Sequence, residues 1–451
     1  MAERTSLLTV VRNIYHLPEL RQKLLFTAGM LLMFRVLAHL PAVNLEQTQL
    51  NEILADNVLV GFIDLFAGGK VLTNFSVVAA GTLPYILATT IVHFLIPLIP
   101  ALDALRDEGE AGEEKLKRYQ YGTTAVTSLA LAWVLSKFLQ RPIGLFPNDA
   151  SLLNPATLLR SLALITTFTA GGLLTTWLTI QIDKKGIGGG TTMLLSVGLC
   201  GALSEHSIHM IANRHIWIKP WALTITVITV VPILTVLAMI ILLESKRPIP
   251  VHYGKRIRGI NKFAGGSSYV PLYLQPAGIQ PILFTQGWLT LLGLLGIALS
   301  TSPTSPWLQA LGAGLIAAVY PLGYPYWGLL FVGVLFFSII LGEALFQQEN
   351  LAGVLQRQGG FVPGVRPGLK THEFLTKISR RITWVGGLCL ASIITFLPNL
   401  YYYFTGQDGY FVVLAFLLLT GIVRDLARQV EAQLLMRHYE GFIPSHTPRS
   451  S

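Results

Sequence analysis

The sequence predicts an all-α polytopic membrane protein with ten transmembrane helices, and its composition, its apolar runs and its charge distribution predict this together. Of the 451 residues, 52% are hydrophobic and only 12% are charged, whereas about 25% of residues are charged in soluble domains. The mean hydropathy is +0.57. This apolar excess is too large for one core surrounded by water, and it indicates a chain embedded in lipid.

Ten runs are long and apolar enough to cross a bilayer, which takes about 17–25 residues. These runs are 24–40, 77–99, 119–138, 159–182, 190–211, 221–243, 279–299, 326–346, 382–402 and 409–427. The first contains Arg35 and the fifth carries Glu205. A further apolar stretch, 306–325, is interrupted by three prolines and three glycines. We therefore expect a loop there, outside the spans.

Positive charge lies almost entirely on one side of this layout. With a cytoplasmic N-terminus, the inner segments hold 26 of the 33 Lys and Arg residues, the outer segments hold six, and Arg35 stays within a span. The positive-inside rule then predicts that both termini are cytoplasmic. The net charge of +10 follows from this topology and does not by itself indicate nucleic-acid binding.

Two inner loops, 244–277 and 347–381, are long, basic and rich in glycine and proline. Loops of this length are commonly functional, so they could dock a large, negatively charged partner. Alternatively, they are solvated loops whose charge only sets the topology.

The segment 58–75 before the second span has helical apolar spacing but is too short and too polar to cross. We expect it to be buried in protein or to line a cavity, or else to lie on the outer surface as an interfacial helix. The sequence shows neither a phosphate-binding loop nor a metal-ligand or catalytic constellation. We therefore expect no catalysis, no metal and no cofactor.

Several longer strings resemble the SecY family, the pore-forming subunits of protein-conducting channels. The resemblance runs from about Pro18 to Phe442. It rests on PELRQKLLFT (18–27), FIDLFAGGKVLTNFSVVAAGTLPYI (62–86), GIGGG (186–190), RPIPVHYGKR (247–256), GGSSYVPLYLQPAGIQPILF (265–284), QGGFVPGVRPG (358–368) and QLLMRHYEGF (433–442).

The resemblance implies two inverted five-helix halves around a central pore. They would span 24–212 and 213–428, between a cytoplasmic N-terminus (1–23) and a cytoplasmic tail (429–451). Five spans per half reverse the orientation of the second half, in agreement with the charge map.

The implied function is translocation of unfolded polypeptides across the membrane and lateral insertion of hydrophobic segments into it. A ring of aliphatic side chains seals such a pore because it dewets when narrow yet deforms around a passing chain. The candidate ring positions carried over from the family are Thr82, Ile86, Leu194, Leu195, Leu283 and Leu418. Thr82 departs from the family's usual aliphatic residue.

The resemblance also assigns a plug and a lateral gate. The plug would be 60–72, with Phe62, Ile63, Phe66, Gly68 and Gly69 as its candidate residues. The gate would lie between the second and seventh spans. Gln275 stands there at a polar position, and His93 replaces the family's usual glutamine. His93 could form a hydrogen bond between helices, or it could sense pH.

The implied partners are the ribosome, the motor ATPase SecA, the small membrane subunits SecE and SecG, substrate signal peptides and membrane lipid. Lys255, Arg256 and Arg366 in the two inner loops are the candidate ribosome or motor contacts. The implied location is a bacterial plasma membrane, or a cyanobacterial or plastid thylakoid membrane.

Two other functions remain open at this point. One is a specialised paralogue with a restricted substrate set, which GIGGG in place of the family's GIGNG, Thr82 and His93 favour modestly. The other is a secondary transporter of a small solute, which would need carboxylates or broken helices at the midplane. The acidic residues of the spans instead fall near span ends, at Asp183, Glu205, Glu244, Glu343 and Asp425.

Overall fold

The computed structural model describes residues 18–42, 76–96, 99–108, 110–140, 155–212, 221–253, 256–258, 261–263, 267–300, 305–320, 323–349, 351–405 and 409–440. Its helices are α1 (Pro18–His39), α2 (Leu83–Leu95), α3 (Pro100–Asp107), α4 (Glu110–Gln140), α5 (Pro155–Lys185), α6 (Gly190–Ala212), α7 (Trp221–Glu244), α8 (Gln280–Ser300), α9 (Pro306–Val319), α10 (Tyr324–Glu349), α11 (Leu351–Gln358), α12 (Leu369–Thr405) and α13 (Tyr410–Glu440). All except α3, α9 and α11 cover predicted spans, which confirms the ten-helix prediction.

Within the described residues, α5, α7, α8, α10 and α12 are each long and apolar enough to cross a membrane by length and composition alone. The helix of the second span, α2, has 13 residues and begins six residues later than predicted. Residues 76–82 form buried turns instead. Gly81 there adopts a φ of +51°, and its carbonyl accepts a hydrogen bond from Thr175 Oγ1 of α5 over 2.5 Å.

The helices pack as two groups of five. In the first group α2 packs on α4, α4 on α5, and α5 on both α1 and α6. In the second, α12 packs on α7 and α10, α7 on α13, and α10 on α8. The groups meet mainly where α2 contacts α8 and where α6 contacts α13.

The stretch 306–325 is not the loop that we predicted, because residues 306–319 form α9. Pro306 lies in the first turn of α9, where its missing N–H costs no hydrogen bond. The helix packs closely on α8: a Cβ added at Gly312 would lie 2.6 Å from the carbonyl oxygen of Gly296. The prolines therefore bound a helix here and do not prevent one.

The two long inner loops form one small folded unit, which we call the loop platform (residues 246–273 and 351–375). Its strands are β1 (Lys246–Tyr253), β2 (Arg256–Arg258), β3 (Asn261–Phe263), β4 (Ser267–Tyr273) and β5 (Gly360–Phe361). They form a three-stranded sheet in the order β4-β1-β5 and a separate β2–β3 hairpin.

Strand β5 joins the second loop to the first by pairing antiparallel with β1, with His252 opposite Phe361. Buried side chains from both loops then share one core, which comprises Ile249, Val251, Leu272, Phe346, Leu355, Val362 and Leu375. The second loop is also shorter than predicted, because α12 already begins at Leu369.

A candidate pore, its seam and the loop platform

Four of the predicted ring residues belong to one continuous buried cluster: Ile86, Leu195, Leu283 and Leu418. None of them is more than 5% exposed. They lie on α2, α6, α8 and α13 respectively. These are the helices at which the two halves mainly contact each other.

Of the other two predicted ring residues, the structure separates Leu194 from this set. Leu194 belongs to a different cluster, with Phe34, Ala38, Val78, Leu178 and Ile182. Successive residues of a helix point about 100° apart, so Leu194 and Leu195 face different neighbours. Thr82 is fully buried, but it is the residue before the first turn of α2 and brings a polar atom to that place.

The seam between α2 and α8 is lined by aromatic side chains. The ring of His93 lies 5.2 Å from the ring of Phe284, and Phe94 stacks on Trp288 at 5.6 Å, measured between centroids. Nδ1 of His93 also donates a hydrogen bond to the Thr89 carbonyl of its own helix, over 2.8 Å. His93 therefore lies at the contact between α2 and α8.

Gly287 lets α2 and α8 approach closely in the middle of the seam. A Cβ added there would lie 3.1 Å from Thr90 Oγ1 and 3.2 Å from Ile86 Cγ2. Sequence reasoning missed Phe284, Gly287 and Trp288. Their spacing of three and four residues places them on one face of a helix, and this was the signal that could have found them.

The prediction for Gln275 needs correction, because this residue does not lie at the α2–α8 seam. Its side chain is 1% exposed, and its Nε2 donates to Ser338 Oγ of α10 over 3.3 Å. A Cβ added at Gly386 of α12 would lie 3.1 Å from its Oε1. Turns before α8 direct Gln275 into the second half, where Oε1 has no hydrogen-bond partner in the described part of the chain.

On its other side, α8 is tied to the second half by a buried amide. Nε2 of Gln286 donates to the hydroxyl of Tyr326 on α10 over 3.0 Å and to the hydroxyl of Tyr410 on α13. The rings of Tyr326, Trp327 and Tyr410 meet at centroid distances of 5.5–6.0 Å. Thus α8 is bonded to the second half by polar groups, and it meets the first half mainly at the seam with α2.

The turn between α5 and α6, which contains GIGGG, is hydrogen-bonded to two other helices, α1 and α13. The N–H of Gly188 donates to Gln429 Oε1 of α13 over 2.8 Å, and the N–H of Ile187 donates to Thr27 Oγ1 of α1 over 3.0 Å. Gly188 has a φ of +84°, which favours glycine. This turn joins the two halves at the α6–α13 junction.

Arg366 is exposed in the turn between β5 and α12. Gly364 and Gly368 on either side of it have positive φ angles of +81° and +99°. Thr371 Oγ1 donates to the Arg366 carbonyl over 2.9 Å. The turn backbone is thereby fixed and presents the guanidinium outward.

Other predicted site residues lie wholly or partly outside the described residues. Arg256 is in β2, where it pairs with Phe263, but its side chain is not described. Lys255 and the plug residues Phe62, Ile63, Phe66, Gly68 and Gly69 lie outside the described residues.

Three acidic residues near span ends pair with arginines. Glu343 pairs with Arg380, Glu244 with Arg428 at 3.3 Å, and Asp425 with Arg424 at 2.9 Å. These carboxylates are used in ion pairs beside the loop platform. They therefore give no support to a small-solute transporter, which would need carboxylates at the midplane.

Comparisons with known proteins agree with this geometry. The SecY family model matches residues 76–427. The chain is 30% identical to the protein translocase subunit SecY of Streptomyces galbus over 446 residues, which cover 97% of this chain and all of that protein. It is also 30% identical to the SecY of Halalkalibacterium halodurans over 449 residues, covering 96% of this chain and 99% of that protein.

Solved channels share the fold at low sequence identity. A structure of a protein-conducting channel covers 90% of this chain and 92% of its own, with 14% identity and a TM-score of 0.57. Yeast Ssh1 bound to the 80S ribosome covers 91% of this chain and 89% of its own, with 14% identity and a TM-score of 0.58. Canine Sec61, from a ribosome–channel complex, covers 90% and 92%, with 13% identity and a TM-score of 0.53. The chain is therefore an integral membrane protein that belongs to the SecY family of protein-translocation channel subunits.

Proposed function

We propose that this chain forms the pore of a protein-conducting channel and that Ile86, Leu195, Leu283 and Leu418 form its seal. The observation that carries the proposal is that these four aliphatic residues, on the four helices where the halves mainly meet, are all buried in the same large apolar cluster. A narrow aliphatic constriction excludes water and ions but offers a passing polypeptide no strong binding site. The ring proposed here omits Leu194 and Thr82.

The α2–α8 seam serves as the lateral exit. It is closed by ring–ring contacts and by the close approach at Gly287. A signal of about 20 apolar residues gains several kcal/mol on reaching lipid, at about 0.3–0.6 kcal/mol per residue. Aromatic pairs contribute only about 0.5–1.5 kcal/mol each, so an apolar signal has enough free energy to open the seam.

The loop platform is the docking surface for the ribosome or for the motor ATPase SecA. The exposed guanidinium of Arg366 on a fixed turn supports this, because a planar guanidinium suits bidentate contact with phosphate or carboxylate. Two of the solved channels of the same fold were captured in complexes with ribosomes. SecE and SecG complete the channel, and both termini face the cytoplasm or stroma of a bacterial plasma membrane or a thylakoid membrane.

Two adjacent leucines give a sharp test of the seal. In planar bilayers that contain the assembled channel, we expect Leu195→Asn to raise the resting ion conductance, because a polar side chain keeps the constriction wet. Leu194→Asn is the matched control. It buries the same amide in a different cluster, so it lowers the thermal stability without opening a conducting path. Equal conductance in the two variants would contradict the proposed ring.

The platform is tested with a second matched pair. In vesicles that contain the channel with its partner subunits, SecA and ATP, we expect Arg366→Glu to reduce the protease protection of an unfolded secretory substrate. Arg357→Glu makes the same charge change at another exposed residue of the platform, on α11, and we expect a smaller effect. A protected fraction that is the same for wild type and Arg366→Glu would remove Arg366 from the docking surface.

A further inference from the structure

The second span does not begin as a helix, because residues 76–82 form turns and α2 starts only at Leu83. Apart from Val77, all of these turn residues are buried. A non-helical backbone inside a membrane has to be buried in protein, and its carbonyl groups need donors from other segments. The contacts that hold these turns also fix the start of α2, which carries the proposed ring residue Ile86.

One part of α5 forms a close seat for the turns. A Cβ added at Gly171 would lie 2.0 Å from the carbonyl oxygen of Val77, so only glycine allows this approach. Thr175 lies one turn further along the same face of α5, and its hydroxyl donates to the Gly81 carbonyl over 2.5 Å. Both seat residues lie near the middle of the apolar run Leu162–Lys185. The seat is therefore within the membrane.

A second threonine bonds to the start of α2 from α4. Thr127 Oγ1 donates to the Pro84 carbonyl over 2.9 Å. Each of the two hydroxyls also lies near a carbonyl of its own helix, Thr127 at 3.1 Å from Thr124 and Thr175 at 2.9 Å from Gly172. In both cases the carbonyl of the second span is the closer acceptor. Two helices of the first half thus each direct a hydroxyl to the start of the second span.

Neighbouring threonines on the same helices bond differently. Thr176 of α5 and Thr124 of α4 are also buried, but they donate to carbonyls of the preceding turn of their own helices, over 2.8 and 2.7 Å. This is the ordinary bond of a threonine inside a helix. Thr127 and Thr175 bond across helices instead, so their hydroxyls connect α4 and α5 to the backbone of the second span.

We propose that Thr127 and Thr175 are positioning residues for the seal, because their hydroxyls hold the start of α2 and with it Ile86. Ile86 follows Pro84 by two residues and Gly81 by five, so a shift at either carbonyl moves Ile86 relative to the other ring residues. This inference rests on the proposed seal, and it adds two residues that the proposed ring does not contain.

Hydrogen–deuterium exchange tests the positioning directly. Thr175→Val removes the hydroxyl and keeps the branched side chain, and Thr176→Val is the matched control. In nanodiscs that contain the channel with its partner subunits, we expect the Gly81 and Ile86 amides to exchange about threefold faster in Thr175→Val, because hydrogen bonds between helices in membranes shift equilibria by about this factor on average. Thr176→Val should leave these rates unchanged. Equal rates in the two variants would overturn the positioning role.

The resting ion conductance of planar bilayers tests the consequence for the seal. We expect Thr175→Val and Thr127→Val each to raise it about threefold, whereas Thr124→Val, the control on α4, should not. Thr175→Ser keeps a hydroxyl and should retain the wild-type conductance. Wild-type conductance in both Thr175→Val and Thr127→Val would overturn the inference. If Leu195→Asn still raised the conductance in that case, the proposed ring would stand and only the positioning role would fail.

Discussion

The imidazole of His93 on α2 faces the phenyl ring of Phe284 on α8 across the junction of the two halves, at 5.2 Å between ring centroids. Phe284 also contacts Phe337 of α10, edge to face at 6.1 Å. Phe284 therefore links the seam to the interior of the second half. It lies next to Leu283, one of the proposed ring residues, so the proposed seal and the proposed lateral exit share one turn of α8.

Replacing Phe284 by alanine should make the seam easier to open. The lost aromatic contacts amount to about 0.5–1.5 kcal/mol per pair, so the fraction of open channels should rise several-fold. We expect Phe284→Ala to accept secretory substrates whose signals have a shortened apolar run. The measurement is protease protection of such a substrate in vesicles. Phe396→Ala, at a residue of α12 that is 67% exposed, should leave the signal requirement unchanged.

A disulfide across the seam should lock the lateral exit. The added Cβ at Gly287 lies 3.1 Å from Thr90 Oγ1, so Thr90→Cys with Gly287→Cys brings the two sulfurs within bonding reach. In a chain with Cys200 and Cys389 replaced by serine, we expect an oxidant to cross-link the pair and to stop lateral insertion. A reductant should restore insertion.

Thr89→Cys with Gly287→Cys is the control for this cross-link. Thr89 precedes Thr90 on the same helix and is less buried, and its side chain points about 100° away. Cross-linking should therefore be slower for the control pair. Insertion that continues at the wild-type rate through the locked Thr90–Gly287 pair would place the lateral exit elsewhere.

The hydrogen bond from Gln286 to Tyr410 should stabilise the attachment of α8 to the second half. Tyr410→Phe keeps the ring contacts but removes the hydroxyl that accepts from Gln286 Nε2. Interhelical hydrogen bonds in membranes contribute on average about 0.6 and up to about 1.7 kcal/mol, so we expect a loss of stability in this range. Denaturant unfolding in detergent measures it, and Tyr402→Phe, at an exposed residue near the end of α12, should change little.

Leu375 should decide whether the two loops stay joined. It is fully buried in the core shared by both loops, and replacing a buried leucine by alanine typically costs about 2–5 kcal/mol. We expect Leu375→Ala to make the platform more sensitive to limited proteolysis by trypsin and to weaken motor-driven translocation. Leu369→Ala, at an exposed position six residues earlier, is the matched control. Equal proteolysis of both variants would mean that this core does not hold the platform together.

The ten helices were readable from the sequence, because in a lipid environment each span must be a long apolar run that satisfies its own backbone hydrogen bonds. The loop at 306–325 was predicted wrongly, since proline and glycine end a helix in isolation. Here Gly296 and Gly312 let α8 and α9 pack closely. That packing depends on a partner helix, which cannot be identified from the local sequence of α9.

For the site residues too, the sequence predicted some positions correctly, and only the tertiary structure decided others. The family motifs placed Leu194 and Leu195 together, but the rotation of α6 sends them into different clusters. Gln275 precedes α8 in the sequence, and only the path of the turns directs it to Ser338 and away from α2. Side-chain direction depends on tertiary packing, and motif position alone does not contain it.

By itself, therefore, the sequence determined that this is a membrane protein of ten helices, because lipid and water select apolar spans and charged loops. Its motifs, through their resemblance to the SecY family, predicted a channel subunit. Only the tertiary structure decided which residues meet at the junction of the halves, that the two loops pair through β1 and β5, and that α9 is a helix. Each of these depends on contacts between segments distant in the chain, and their free energy exists only once the helices have packed.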